Sequence, residues 1–193
     1  MDDDLPEKYR LHYWLGMIVQ NDVFAESEMG MLWRALHQAG LPVDDFQRDF
    51  GRLIPVVRRG LKLAQIPNEF RSIASDVLEA THRAHRVRRE LAHDLLMLDH
   101  RDSSVVRSMR SAFPPRPMSE LESCANDLMT LTWRLRATGI IAPFWIGGPK
   151  DGYETEEIIR SWTRVAMGHI SDEHPNAIVG TLGPWPEPPG GFA

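Results

Sequence analysis

The run Arg88-Arg89-Glu90-Leu91-Ala92-His93 puts a permanently charged guanidinium and a titratable imidazole a few positions apart. Arginine offers a planar fork of donors that suits charge developing on phosphate oxygens. Histidine has an unperturbed pKa near neutrality and can give or take a proton. The surroundings favour an anionic partner: from His82 to Arg116 there are eight arginines against four acids, with four histidines added. A phosphate-bearing molecule would be drawn here first, although a solvated helix face accounts for the same run of charge.

Other chemistries find less support. His82, His93 and His100 fall within about 20° of one another on a helix, but are spaced by about 16 and 10 Å along it, too far apart to share one ion. His82 and His85 alone could supply two ligands. Neither a phosphate-cradling glycine loop nor a nucleophile elbow is present, since Gly147-Gly148 leads into Pro149 and no serine sits in a glycine-bracketed turn. No metal or cofactor is therefore expected. Cys124 is the single cysteine and lies in leucine-rich, helical surroundings, as a small buried hydrophobe does.

The elements that must position Arg88 and His93 are helical. Pro6 suits a first helical turn, and Trp14, Ile18, Ala25, Met29, Leu32 and Leu36 recur at helical spacing until Gly40 and Pro42, with a possible break near Asn21. Two short helices are expected between Asp44 and Ala64, divided at Pro55. After Pro67 no proline or glycine occurs before Pro114, and Ile73, Val77, Ala80, Ala84, Leu91, Leu95 and Leu98 mark the longest uninterrupted helix. On that helix, with Val77 at zero, Arg88 falls near 20°, inside the apolar stripe, and His93 near 160°. An arginine in such a stripe snorkels, meets a carboxylate such as Glu26 or Glu28, or faces a second packing surface such as a dimer cleft. Arg89, four residues before His93, is the easier neighbour for it.

Asp99 to Pro117 reads as a connection with a short extended piece at Val105 and Val106. A helix signalled by Ser119 and Glu122 follows and is expected to stop at Gly139. Residues 140–152 then read as a linker, Tyr153 to Met167 as an extra amphipathic helix, and Gly183 to Ala193 as a proline-rich tail carrying Trp185. The expected division is a bundle over 1–139 and an appendage over 140–193.

Composition agrees with an ordinary globular chain: 193 residues, 42% hydrophobic and 25% charged, which excludes disordered and fibrous classes. No stretch of eighteen apolar residues occurs and the chain opens on three aspartates, so no membrane partner is expected and the location is read as cytoplasmic. A net charge of −5 argues against indiscriminate affinity for polyanions, and the acids concentrate in Met1–Phe50, ten against four bases.

Arg88, four intervening residues and His93, with Leu91-Ala92 directly before the histidine, resemble the motif of the HEPN superfamily. The resemblance extends over roughly residues 8 to 139, through the apolar-acidic stretch Phe24 to Leu36 and the capped helix from Ser119. The chain departs from the pattern at Arg89, where family members usually carry asparagine, aspartate or histidine. The resemblance implies an all-α, HEPN-like bundle of four to five main helices, here with an extra C-terminal helix and tail. It implies metal-independent endoribonuclease activity, in which the ribose 2′-hydroxyl attacks the adjacent phosphate and leaves a cyclic phosphate. Arg88 and His93 would be the catalytic pair, supported by Arg89, Glu26 or Glu28, in the cleft of a homodimer acting on RNA. A protein partner such as an antitoxin, in a toxin–antitoxin or defence role, belongs to the same expectation. The alternative is a noncatalytic HEPN-like module that binds RNA, nucleotide or a protein.

Overall fold

A computed structural model of the chain describes residues 6–38, 40–41, 43–93, 96–108, 114–147 and 156–169. Among these there are five helices: α1 (Glu7–Gln38), α2 (Phe50–Leu63), α3 (Asn68–His93), α4 (Met118–Gly147) and α5 (Glu156–Ala166). Between α3 and α4 lies a small antiparallel sheet of β1 (Leu96–Leu98), β2 (Val105–Ser108) and β3 (Arg116–Pro117), in that order. The chain is thus an all-α bundle, and no described helix is long and apolar enough to cross a membrane. The proline-rich tail with Trp185 lies outside the described residues.

α1 is continuous through Asn21, because that side chain does not compete with its own helix. Its Nδ2 donates instead to the carbonyl of Ala125 on α4 at 2.9 Å, satisfying a buried amide across the helix pair. Gly40, at φ +74°, closes the helix, with its N–H on His37 and the N–H of Leu41 on Leu36.

Four expectations are corrected here. Pro55 does not divide α2, whose start is fixed by Asp49 accepting from the N–H of Arg52 at 3.0 Å. The proline faces solvent while Leu53, Ile54, Val57 and Leu61 are buried, and their burial at about 1.5–3 kcal/mol each outweighs the loss of one helical bond. Gly139 does not stop α4. A Cβ there would stand 3.8 Å from the backbone of Leu32, so the glycine marks a close approach of α1 and α4, and residues 140–147 continue the helix. At 26 residues, α3 is shorter than α1 with 32 and α4 with 30. The connection after α3 holds three strands, of which only the piece at Val105 and Val106 is legible in the sequence; Val106 pairs with both Leu98 and Arg116.

Two apolar clusters form the core. One joins the C-terminal half of α1 to α2, α3, α4 and α5 through residues such as Leu32, Leu53, Phe70, Leu135, Ile141 and Trp162. The other joins the N-terminal half of α1 to the end of α3, the sheet and the start of α4 through Trp14, Ile18, Leu91, Val106 and Leu121. Asp22 stands on α1 between Ile18 of the second cluster and Ala25 of the first.

Gly60 tests how tightly α2 is seated. A Cβ at this buried position would collide with Cγ1 of Val43, whose branched side chain has little rotameric freedom. Gly60→Ala should therefore lose about 1–3 kcal/mol, although alanine is the better helix former. A lowered denaturant midpoint at unchanged slope is the expected reading; unchanged or higher stability overturns this account of the α2 contact.

Candidate functional site

The apolar stripe of α1 is interrupted by one carboxylate, and that of α3 by a histidine and an arginine three residues apart. These three side chains meet. Asp22 Oδ1 lies 3.0 Å from His85 Nδ1, and Asp22 Oδ2 lies 2.8 Å from Arg88 Nε. The Arg88 contact is one of charge, because Nε makes no directed hydrogen bond. Burial is graded across the group, with side-chain exposures of 4% for Asp22, 12% for His85 and 22% for Arg88. The carboxylate is the enclosed member and the basic groups lead outward.

His85 is held on two sides. An ionised carboxylate can only accept, so the neutral ring carries its proton on Nδ1 and leaves the Nε2 lone pair free. The ring of Phe50, at the start of α2, meets the imidazole edge to face with centroids 4.8 Å apart. Nε2 points toward Gly51, where an added Cβ would be 3.9 Å away. This nitrogen borders a cleft of about 610 Å³ between α2 and α3, lined by Asp49, Gly51, Arg52, His82, His85, Arg86, Arg89 and Glu90.

The cleft is positive in what it leaves uncommitted. Among the described residues, the guanidinium groups of Arg52, Arg86 and Arg89 have no carboxylate within ion-pair distance, whereas Asp49 caps α2 and Glu90 lies 3.7 Å from Arg116. His82 precedes His85 by one helical turn and faces the same space, which puts two imidazoles beside three guanidiniums. Such a set can hold a phosphate and move protons on either side of it. Among the described residues, no three His, Cys, Asp or Glu side chains are grouped as a metal site requires.

The sequence-derived candidates fare differently. Arg88 does face α1 and does meet a carboxylate, but that carboxylate is Asp22 and neither Glu26 nor Glu28. Glu28 pairs with Arg136 at 2.9 Å, and burial raises its pKa despite that partner. Glu26 lines a separate groove on the outer face of α1. Arg89 is exposed in the His85 cleft. His93 is the last residue of α3, and its side chain lies outside the described residues, as does any meeting of it with Arg88. Because Arg88 finds its counter-charge within the chain, the stripe no longer calls for a dimer cleft to receive it.

From the sequence, Asp22 is not singled out and His85 is considered only as a metal ligand beside His82, yet both leave a trace. Asp22 fills the gap between Ile18 and Ala25 in the α1 stripe, and His85 stands one turn before Arg88 on the same face of α3. A charged residue inside an apolar stripe on each of two helices is the pattern from which such a pair can be read.

Cys124 is not part of this site. Its thiol is buried, and desolvation together with the nearby charges of Asp127, Asp22 and Glu120 pushes its pKa up to about 11. At neutral pH it should resist alkylation until the protein unfolds. Rapid stoichiometric labelling of the native chain would contradict this.

The fold and the cleft define a helical bundle with a basic, histidine-bearing site. No family model, no curated protein and no solved structure matches the chain. The site is therefore read from this chain's own residues.

Proposed function

We propose that the chain is a metal-independent endoribonuclease in which the His85 cleft binds a phosphodiester of RNA. The observation that carries this reading is the Asp22–His85 pair, whose free Nε2 borders a cleft lined by Arg52, Arg86 and Arg89. In the reaction the ribose 2′-oxygen forms a bond to phosphorus as the bond to the 5′-oxygen breaks. One group must take the 2′-hydroxyl proton and another must protonate the departing oxygen. His85 serves as the base, oriented by Asp22, and His82 as the acid; the arginines stabilise the charge gathering on the non-bridging oxygens. Arg88 acts as a positioning residue that fixes the carboxylate of Asp22. The motif from Arg88 to His93, by which the chain resembles the HEPN superfamily, lies on the same helix and supports the same class of activity with a different working histidine.

Purified protein should cleave single-stranded RNA in EDTA and leave cyclic phosphate ends. Arg89→Ala should weaken binding and reduce the salt dependence of affinity by about 0.7 in logarithmic slope, as the loss of one phosphate contact on a single strand does. The small exposure of His85 favours a second reading, a noncatalytic RNA-binding module in which the Asp22–His85 pair only ties α1 to α3. Binding without cleavage across varied RNAs would select that module and overturn the nuclease.

A further inference from the structure

The loop between α1 and α2 is pinned at both ends. Trp33 Nε1 donates to the Asp44 carbonyl at 3.0 Å, Asp44 pairs with Arg59 at 2.7 Å, and Asp49 caps α2. Between these ties the Phe46 ring meets Trp33 edge to face, with centroids 5.2 Å apart, and rests against Gly30, yet it stays 46% exposed. A phenyl ring held open on a fixed loop leaves in water an apolar face that a ligand can cover. It borders a groove of about 740 Å³ on α1, lined also by Met31, Trp33, Glu26 and Arg34.

Groove and His85 cleft are neighbours along the chain. Asp49, which lines the cleft, follows Phe46 after at most about 11 Å of extended backbone. Arg48 stands exposed between them, with Arg34 in the groove and Arg52 in the cleft. Among the described residues, none of these three guanidiniums has a carboxylate within ion-pair distance. Cations spaced beside an open aromatic ring suit a nucleic-acid single strand, whose phosphates follow the cations while an unstacked base lies on the ring. Among the described residues, Glu26 is the one carboxylate lining the groove. It repels a phosphate but accepts from the N–H groups on the edge of a base, so the groove suits the base and the arginines suit the backbone.

We propose that Phe46 is the stacking platform for a nucleobase adjoining the phosphodiester held in the His85 cleft, and that the substrate class is single-stranded RNA with an unpaired base at that position. The bases of a duplex are stacked on one another and offer the ring no face. The subsite rests on the reading of the cleft as an RNA site, and it serves a nuclease and a noncatalytic binder alike.

Fluorescence anisotropy of the full chain with a labelled single strand of 2′-O-methyl RNA, which 2′-oxygen attack cannot cleave, tests it. Phe46→Leu keeps an apolar side chain against Gly30 and Trp33 but removes the aromatic face; affinity should fall roughly 5- to 150-fold, the loss of one stacked base. Phe46→Tyr should bind within a few-fold of wild type. Strands with a single abasic ribose, moved position by position, should include one that wild type and Phe46→Leu bind equally, because the base that the ring would hold is already gone. The same sequence as a duplex should not distinguish the two proteins. A wild type that binds the single strand and weakens with Arg89→Ala, but is unaffected by Phe46→Leu, overturns the base subsite and leaves the cleft reading standing. A wild type with no affinity for the strand overturns the cleft reading and the subsite with it.

Discussion

Asp22→Asn should lower the stability of the fold by about 3–5 kcal/mol, the range for removing one partner of a buried ion pair. The carboxylate is 4% exposed, and both of its oxygens are engaged, one by His85 and one by Arg88. Asparagine keeps the shape but removes the charge that compensates a guanidinium whose Nε is itself buried. The amide also offers a donor where Arg88 and His85 need an acceptor. Urea unfolding should show a lowered midpoint at unchanged slope. Adding Arg88→Met to Asp22→Asn should recover much of the loss, because replacing a buried charge with an apolar group of similar length removes the stranded cation. If Asp22→Asn costs less than about 1 kcal/mol, the pair lies in effectively solvated surroundings and does not lock α1 to α3.

His85→Ala should reduce RNA cleavage in EDTA by about 10²- to 10⁴-fold, the contribution of a positioned general acid or base. The arginines lining the cleft remain in this variant, so RNA affinity should change little; a loss of binding in parallel with cleavage would point to a structural role. His85 also contacts Asp22 and the Phe50 ring, so His85→Gln, which can still donate to the carboxylate, separates folding from chemistry. It should stay folded and remain as inactive as His85→Ala. His82→Ala should slow cleavage without altering thermal stability, because His82 is exposed. His93→Ala provides the decisive comparison. If it abolishes cleavage while His85→Ala does not, the working histidine is the one at the end of α3, and the cleft assignment fails.

The local elements were legible because helical periodicity is a property of short stretches of chain. The stripes Trp14 to Leu36 and Val77 to Leu91 give α1 and α3 and the faces they bury, and they put Arg88 on the buried side of α3 with a carboxylate of α1 as its natural partner. What no stripe contains is the offset of one helix along another. Glu26 lies one turn, about 6 Å, beyond Asp22 on α1, and only the packing of two three-dimensional surfaces decides which turn stands opposite Arg88. That same offset brings His85 to Asp22 and, through α2, sets Phe50 and the arginine-lined cleft beside it. Gly139 and Pro55 make the same point: each carries a local signal to end a helix, and each is overruled by burial on either side, in α4 against Leu32 and in α2 against the core. The sequence by itself determined the bundle and the basic character of α3. Only the tertiary structure decided which histidine a carboxylate holds, because that depends on contacts between residues 63 positions apart.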